Sequence, residues 1–200
     1  MPRRTRTVRA LLLTPGAGAG RDQSALVAID EAVADLGLPV ARIDFPYRLA
    51  GRHFPDKPAV LVGAVRDAAA SLADAVGTTP AAVALGGRSM GGRMCSLTVA
   101  EGLAAAALVL VSYPLHPPGR PDKPRTQHFS QITVPCLFVS GTKDAFGTPD
   151  ELEEATAAIP GEVTHHWVDG ADHGLRRRDG EVAQVVAGWL AARRVKARAT

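Results

Sequence analysis

Short apolar runs alternate with amphipathic stretches along the whole chain. The apolar runs predict six strands, at residues 8–13, 40–44, 82–85, 107–111, 136–140 and 163–168. The stretches between and after them predict five helices, at residues 23–36, 58–76, 90–101, 149–159 and 180–193. Gly37, Gly77 and Gly102 follow three of these helices, at the position where a left-handed residue commonly ends a helix. We therefore predict one α/β domain over residues 1–200, built on a sheet of about six parallel strands flanked by helices.

Two segments interrupt this alternation. Residues 47–56 contain Gly, Pro and mixed charge, and residues 113–135 are rich in Pro and too long for an ordinary connection. Loops of this kind commonly wall the active site of an α/β sheet. Neither segment is long enough for a folded cap domain, so the sequence predicts an open site and a small or flexible substrate.

Composition limits the partners of the chain. A hydrophobic content of 46% in 200 residues is enough for one sizeable core. The net charge of +3 and an aromatic content of 4% argue against a nucleic-acid-binding surface. No apolar run reaches the roughly 18 residues that cross a bilayer, and Pro15 interrupts the run that follows the basic start. We expect no nucleic-acid or membrane partner, and the sequence does not indicate an oligomeric state.

The two cysteines, Cys95 and Cys136, lie in predicted core segments. We interpret them as buried free thiols of a cytoplasmic protein. No spacing of Cys and His resembles a zinc site, so no metal is expected.

The segment 86–92, Gly-Gly-Arg-Ser-Met-Gly-Gly, joins a predicted strand to a predicted helix. This pattern is typical of a nucleophile elbow, in which a serine occupies a strained turn and small neighbours let strand and helix approach closely. Ser89 is therefore the candidate nucleophile.

A serine hydroxyl needs an imidazole to take its proton and a carboxylate to orient that imidazole. The carboxyl ends of parallel strands converge on one sheet edge. Asp144 follows the fifth predicted strand there, and His173 follows the sixth. The sequence thus predicts a triad of Ser89, His173 and Asp144. Asp172 is the weaker candidate acid, because a residue adjacent to His173 cannot easily reach the ring nitrogen that faces away from Ser89.

An oxyanion hole needs two N–H donors. Met90 follows the nucleophile at the start of a helix and supplies one, and Ala17, in the Gly-rich loop after the first strand, is the candidate for the other. That loop also resembles a phosphate-binding turn. It lacks the Lys-Ser/Thr ending of a P-loop and the spacing of the dinucleotide fingerprint.

Four motifs together resemble a known family. They are the elbow at 86–92, the loop at 113–119, the segment 138–149 and Asp172-His173-Gly174. They are similar to the small α/β-hydrolases related to dienelactone hydrolase, and most to the branch that contains testis-expressed protein 30 and the hydrolase-like part of subunit 3 of the NSL acetyltransferase complex. The resemblance implies a minimal α/β-hydrolase fold with no cap domain and a triad in the order Ser89, Asp144, His173. One departure affects the anchoring of the oxyanion loop, since Pro15-Gly16 stands where the family usually has His-Gly.

These observations predict a serine hydrolase that cleaves a small-molecule carboxylic ester or thioester through an acyl-enzyme, with no cofactor. A hydrolase-fold interaction module with vestigial catalysis is the alternative, favoured by the resemblance to the NSL subunit and by the altered oxyanion loop. An acyltransferase or peptidase on the same scaffold also stays open.

Other polar residues have weaker predictions. Arg88 and His116 are candidate substrate contacts. His53 and His128 are interpreted as solvated loop residues, and the neighbours His165 and His166 should face opposite sides of a strand. Basic residues near the predicted edge could make its rim positive, namely Arg88, Arg120, Lys123, Arg125 and Arg176–Arg178.

Overall fold

The computed structural model describes residues 7–194 and contains the predicted parallel sheet. Its strand order is β2-β1-β3-β4-β5-β6, and every neighbouring pair is parallel. The strands are β1 Ala10–Thr14, β2 Val40–Arg42, β3 Val83–Arg88, β4 Ala107–Val111, β5 Cys136–Gly141 and β6 Val163–Val168. All six predicted strands are confirmed, with ends that differ by up to three residues.

Five longer helices cover the sheet. They are α1 Ser24–Ala34, α3 Pro58–Ala75, α4 Met90–Ala100, α5 Pro149–Thr156 and α6 Asp179–Ala191. Each coincides with a predicted helix. Gly37, Gly77 and Gly102 have φ of +60°, +64° and +96°, which confirms their left-handed conformation after α1, α3 and α4.

The prediction of an irregular 47–56 segment is partly wrong. A one-turn helix, α2 Pro46–Leu49, begins it, with Pro46 in the first turn. Phe45 and Tyr47 are fully buried. A single turn is too short to show a helical apolar period in the sequence. Burial of its side chains stabilises it.

Both faces of the sheet are buried. Leu11 and Leu13 of β1 pack with α1 and α6 on one face, and Leu12 packs with α3 and α4 on the other. A parallel sheet covered on both faces needs apolar residues at consecutive positions, which explains the uninterrupted apolar runs in the sequence.

The carboxyl ends of the parallel strands form the edge of the sheet at which ligand sites of this architecture lie. Within residues 7–194 no separate cap domain covers this edge, which confirms the minimal architecture. None of the helices in that range is long and apolar enough to cross a membrane.

Candidate active site

Ser89 occupies a strained turn between β3 and α4. Its φ of +50° and ψ of −117° are unfavourable for a residue with a side chain. Hydrogen bonds hold both sides of the turn: Ser89 N donates to Val111 O at 2.8 Å, and Arg93 N donates to Ser89 O at 3.1 Å. The strain is therefore maintained by the neighbouring strand and by the first turn of α4.

Glycines permit the close approach of strand and helix at the elbow. A Cβ on Gly87 would lie 2.6 Å from the backbone of Gly91 and Gly92, and a Cβ on Gly91 would lie 2.6 Å from Pro15 O. Real Cβ atoms do not come so close to backbone. Gly87 and Gly91 thus bring β3, α4 and the loop after β1 together around Ser89.

The three predicted triad residues lie in hydrogen-bond contact. Ser89 Oγ is 2.9 Å from His173 Nε2, and His173 Nδ1 is 2.8 Å from Asp144 Oδ2 and 3.0 Å from Asp144 Oδ1. An ionised carboxylate can only accept, so the ring proton is on Nδ1, and Nε2 is free to accept the proton of Ser89. This is the arrangement that general-base activation of a serine requires.

Asp144 is 3% exposed and is oriented by its own loop. Phe146 N donates to Asp144 Oδ1 at 2.8 Å, and the Phe146 ring stacks on His173 with centroids 4.0 Å apart. Sequence reasoning missed Phe146, although an aromatic residue two positions after the acid was a usable signal. Asp172 instead accepts from Gly174 N at 2.8 Å and closes the turn that carries His173.

The loops that carry Asp144 and His173 are hydrogen-bonded to each other. Lys143 N donates to Ala171 O at 2.9 Å, and Gly170 N donates to the Thr142 hydroxyl at 2.8 Å. The acid and the histidine therefore belong to one structural unit at the ends of β5 and β6.

Arg88 contacts the histidine loop from the elbow. Its Nη2 donates to His173 O at 2.8 Å and to Gly174 O at 3.0 Å. Burial lowers the pKa of this guanidinium. Two non-glycine residues in the same loop, Leu175 and Arg177, have φ of +47° and +62°. Arg88 thus positions a strained loop, and a direct contact with substrate stays a prediction.

The predicted oxyanion donors flank the elbow. Within residues 7–194 neither Met90 N–H nor Ala17 N–H donates an intramolecular hydrogen bond. The loop that carries Ala17 has two anchors that the sequence did not reveal: Tyr47 Oη donates to Ala17 O at 2.6 Å, and Gly16 N donates to Gln23 Oε1 at 3.0 Å. These two bonds anchor the loop that follows Pro15.

The other histidines have different environments. His116 is 6% exposed, and its Nε2 lies 3.4 Å from Glu151 of α5; a contact of its ring with substrate stays a prediction. His165 contacts Thr156 of α5 and His166 contacts Glu181 of α6, which confirms their opposite directions. His53 is exposed, as expected.

The interpretation of His128 as a solvated residue is wrong. Its ring is half-buried, with Nε2 2.8 Å from Ser96 Oγ on α4. Burial, reinforced by the charge of Arg93, lowers its pKa to about 4. The proline-rich segment folds back onto α4, a contact that cannot be inferred from the sequence alone.

Cys95 and Cys136 are buried free thiols, as predicted, and burial raises the pKa of each to about 12. Among residues 7–194, no group of three or more His, Cys, Asp or Glu side chains is placed to hold a metal ion.

Comparisons with known proteins identify the family and the fold of the chain. The Alpha/beta hydrolase domain family matches residues 7–194. An alpha-beta serine hydrolase homologue from Coxiella burnetii superposes with a TM-score of 0.74 at 17% identity, over 92% of this chain and 86% of that one. A dienelactone hydrolase from Anabaena variabilis gives 0.72 at 18% identity, over 93% and 87%. The esterase domain of a Rhodothermus marinus protein gives 0.69 at 17% identity, over 96% and 90%. At these identities the structures show the shared fold, and the family match over nearly the whole chain shows that the protein belongs to the α/β-hydrolase family.

Proposed function

We propose that the protein is a serine hydrolase that cleaves a carboxylic ester or thioester through an acyl-enzyme intermediate. One observation carries the proposal: a strained Ser89 lies 2.9 Å from His173 Nε2, while the other ring nitrogen of His173 contacts a buried carboxylate at 2.8 Å. An inert structural serine needs neither the strained backbone nor the oriented imidazole.

The reaction would proceed in two halves. Ser89 Oγ attacks the carbonyl carbon and transfers its proton to His173 Nε2, while the carbonyl oxygen becomes negative and receives hydrogen bonds from Met90 N–H and Ala17 N–H. The carbon–oxygen or carbon–sulfur bond then breaks, and His173 returns the proton to the leaving alcohol or thiol. In the second half, water loses a proton to His173 and attacks the acyl-enzyme, which releases the acid and restores Ser89. Asp144 stabilises the imidazolium in both halves.

The comparisons support an ester-type substrate. The similar structures include a dienelactone hydrolase and an esterase domain, and a lactone is a cyclic ester. We further infer that the protein falls in the branch suggested by its elbow and loop motifs, and that it acts on a small molecule in the cytoplasm, where its buried thiols stay reduced.

Fluorophosphonate labelling tests the proposal, because this probe reacts with activated serines. We expect one label per wild-type molecule and none on Ser89→Ala. Ser112→Ala is a matched control: Ser112 ends β4 with φ of +49°, and its buried Oγ has no partner among the described residues, so labelling should persist. Loss of His173 should lower the turnover of an activated ester by about 10⁴ or more, because the triad acts as a unit.

The alternative is an interaction module on the same fold. A folded wild-type protein that remains unlabelled would refute the hydrolase and favour the module. The hydrogen-bonded triad supports the enzyme, since three residues from separate loops have no reason to keep this geometry without catalysis.

A further inference from the structure

Two arginines beside the elbow have no acidic partner. Arg93 lies on α4, one turn after Ser89, and Arg125 lies in the proline-rich segment. Neither forms a salt bridge with a residue in 7–194, and neither guanidinium donates a hydrogen bond there. Arg93 Nε is buried from solvent and unpartnered among the described residues. A buried hydrogen-bond donor without a partner is destabilising, and an anion that accepts a hydrogen bond from Arg93 Nε would offset this cost.

Two other arginines of the expected positive rim form ion pairs with carboxylates. Arg120 contacts Asp122 at 2.9 Å, and Arg178 contacts Glu181 at 3.1 Å. The expected positive rim is therefore reduced by ion pairs at these positions, while the charges of Arg93 and Arg125 remain uncompensated.

The two arginines are close enough to influence each other. Burial and then the charge of Arg93 lower the pKa of Arg125. His128, whose Nε2 lies 2.8 Å from Ser96 Oγ on α4, has a pKa of about 4 and is neutral at physiological pH. The cluster thus holds two like charges at neutral pH with no carboxylate contact among residues 7–194.

The backbones of both arginines are held in place. Ser96 Oγ donates to Arg93 O at 2.8 Å and receives the Nε2 proton of His128. Tyr113 Oη donates to Arg125 O at 2.8 Å, and Tyr113 is 2% exposed. These bonds fix the backbone positions from which the two arginine side chains extend.

We propose that Arg93 and Arg125 form a binding site for the carboxylate or phosphate group of an anionic substrate whose ester bond is cleaved at Ser89. The planar guanidinium fork can donate two parallel hydrogen bonds to a pair of oxygens of either a carboxylate or a phosphate group. Arg93 follows Ser89 by four residues, so both lie on the same side of α4, with backbones about one helical turn (about 5.4 Å) apart along its axis. The inference rests on the proposed function and narrows its substrate class to anionic esters or thioesters.

Paired substrates test the inference. In the first pair, 4-nitrophenyl pentanoate and 4-nitrophenyl hydrogen glutarate differ by a terminal methyl or carboxylate on the acyl chain. In the second, 4-methylphenyl acetate and 4-acetoxybenzoate differ likewise on the leaving group. The readout is the ratio of kcat/KM for the anionic ester to kcat/KM for the neutral one.

We expect Arg93→Gln and Arg125→Gln each to lower this ratio by about ten- to hundredfold in at least one pair, as befits lost charge-assisted hydrogen bonds. Arg9→Gln is the matched control, because exposed Arg9 precedes β1 at the opposite edge and its loss changes the net charge equally. Ratios within twofold of wild type in both pairs for both variants would overturn the site. An equal fall in Arg9→Gln would also overturn it, since only the overall charge would then matter.

A binding measurement separates this inference from the proposed function. The melting temperature of Ser89→Ala is recorded with glutarate, inorganic phosphate or neutral glutaramide. We expect glutarate, phosphate or both to raise it by ligand linkage, glutaramide not to, and Arg93→Gln to remove the effect. If wild type proves unlabelled and inactive, the proposed function fails while this shift still reports the anion site. No shift with either anion, or the same shift after Arg93→Gln, overturns the site even if catalysis is established.

Discussion

The hydroxyl of Tyr47 is expected to control the oxyanion loop. It donates to Ala17 O at 2.6 Å, within the residue whose N–H is the second candidate oxyanion donor. Tyr47→Phe removes this one hydrogen bond and keeps the ring, which is fully buried and stacked with Phe45. The change therefore perturbs the loop without opening a cavity.

The magnitude follows from two limits. Loss of one oxyanion donor costs about 10²–10³ in kcat, which bounds the effect from above. The loop keeps its Gly16 to Gln23 bond at 3.0 Å, so it stays attached and is displaced in only part of the population. A net hydrogen bond of about 1 kcal/mol biases such an equilibrium about fivefold. We expect kcat to fall about five- to tenfold with little change in KM, because the donor acts on the transition state.

The assay combines ester turnover, fluorophosphonate labelling rate and urea unfolding. Tyr47→Phe should lower both ester turnover and the labelling rate. It should also lower the free energy of unfolding by about 1 kcal/mol. Thr98→Val is the matched control, since it deletes a buried hydroxyl that donates to Met94 O at 2.8 Å inside α4. It should cost similar stability and leave turnover unchanged. If Tyr47→Phe loses stability while kcat stays within twofold of wild type, the hydroxyl supports only the fold and the reasoning is refuted.

Three further predictions concern the elbow, the histidine loop and acid stability. Gly87→Ala should destabilise the protein by about 3 kcal/mol in urea unfolding, because its Cβ would overlap backbone. Gly63→Ala is the control, because a Cβ at this position in α3 would have no atom within 4 Å; it should raise the free energy of unfolding by up to about 1 kcal/mol. Equal changes in the free energy of unfolding for the two variants would contradict this explanation. Arg88→Met should lower kcat about ten- to hundredfold through loss of two charge-assisted bonds to the His173 loop, with partial recovery in Arg88→Lys; unchanged kinetics would show that the loop holds itself. His128 has a pKa lowered to about 4 from 6.5, so the unfolded chain binds its proton first, and stability is lost as pH falls from about 6.5 toward 4. The part-exposed ring limits this loss to about 1–3 kcal/mol, and His128→Gln should show a correspondingly smaller fall between pH 7 and pH 4; parallel curves would exclude His128 as its source.

The sheet, the elbow and the positions of the acid and histidine were predictable because each depends on local sequence. Apolar periodicity marks the strands, and Gly87 and Gly91 mark the turn around Ser89. Parallel strands then bring Asp144 and His173 to the same edge whatever the details of the loops.

The supporting contacts were not predictable because they join distant segments. Tyr47 and Ala17 are 30 residues apart, and Arg88 reaches a carbonyl 85 residues away. The burial of His128 likewise depends on how the proline-rich segment folds onto α4. One sequence gives the polarity of these residues but not their partners.

The division of the site between two structural units has a consequence for recombination within the family. The proposed nucleophile and oxyanion donors lie at the ends of β1 and β3, whereas the proposed acid and histidine lie together at the ends of β5 and β6. A chimera that changes parent within residues 113–128 would inherit each half intact. The hydrogen bonds from Arg88 would also be kept, because they are donated to backbone carbonyls, which any parent sequence supplies. The two halves of the proposed active site are therefore separate structural units, joined by the contact between Ser89 and His173 and by the bonds from Arg88.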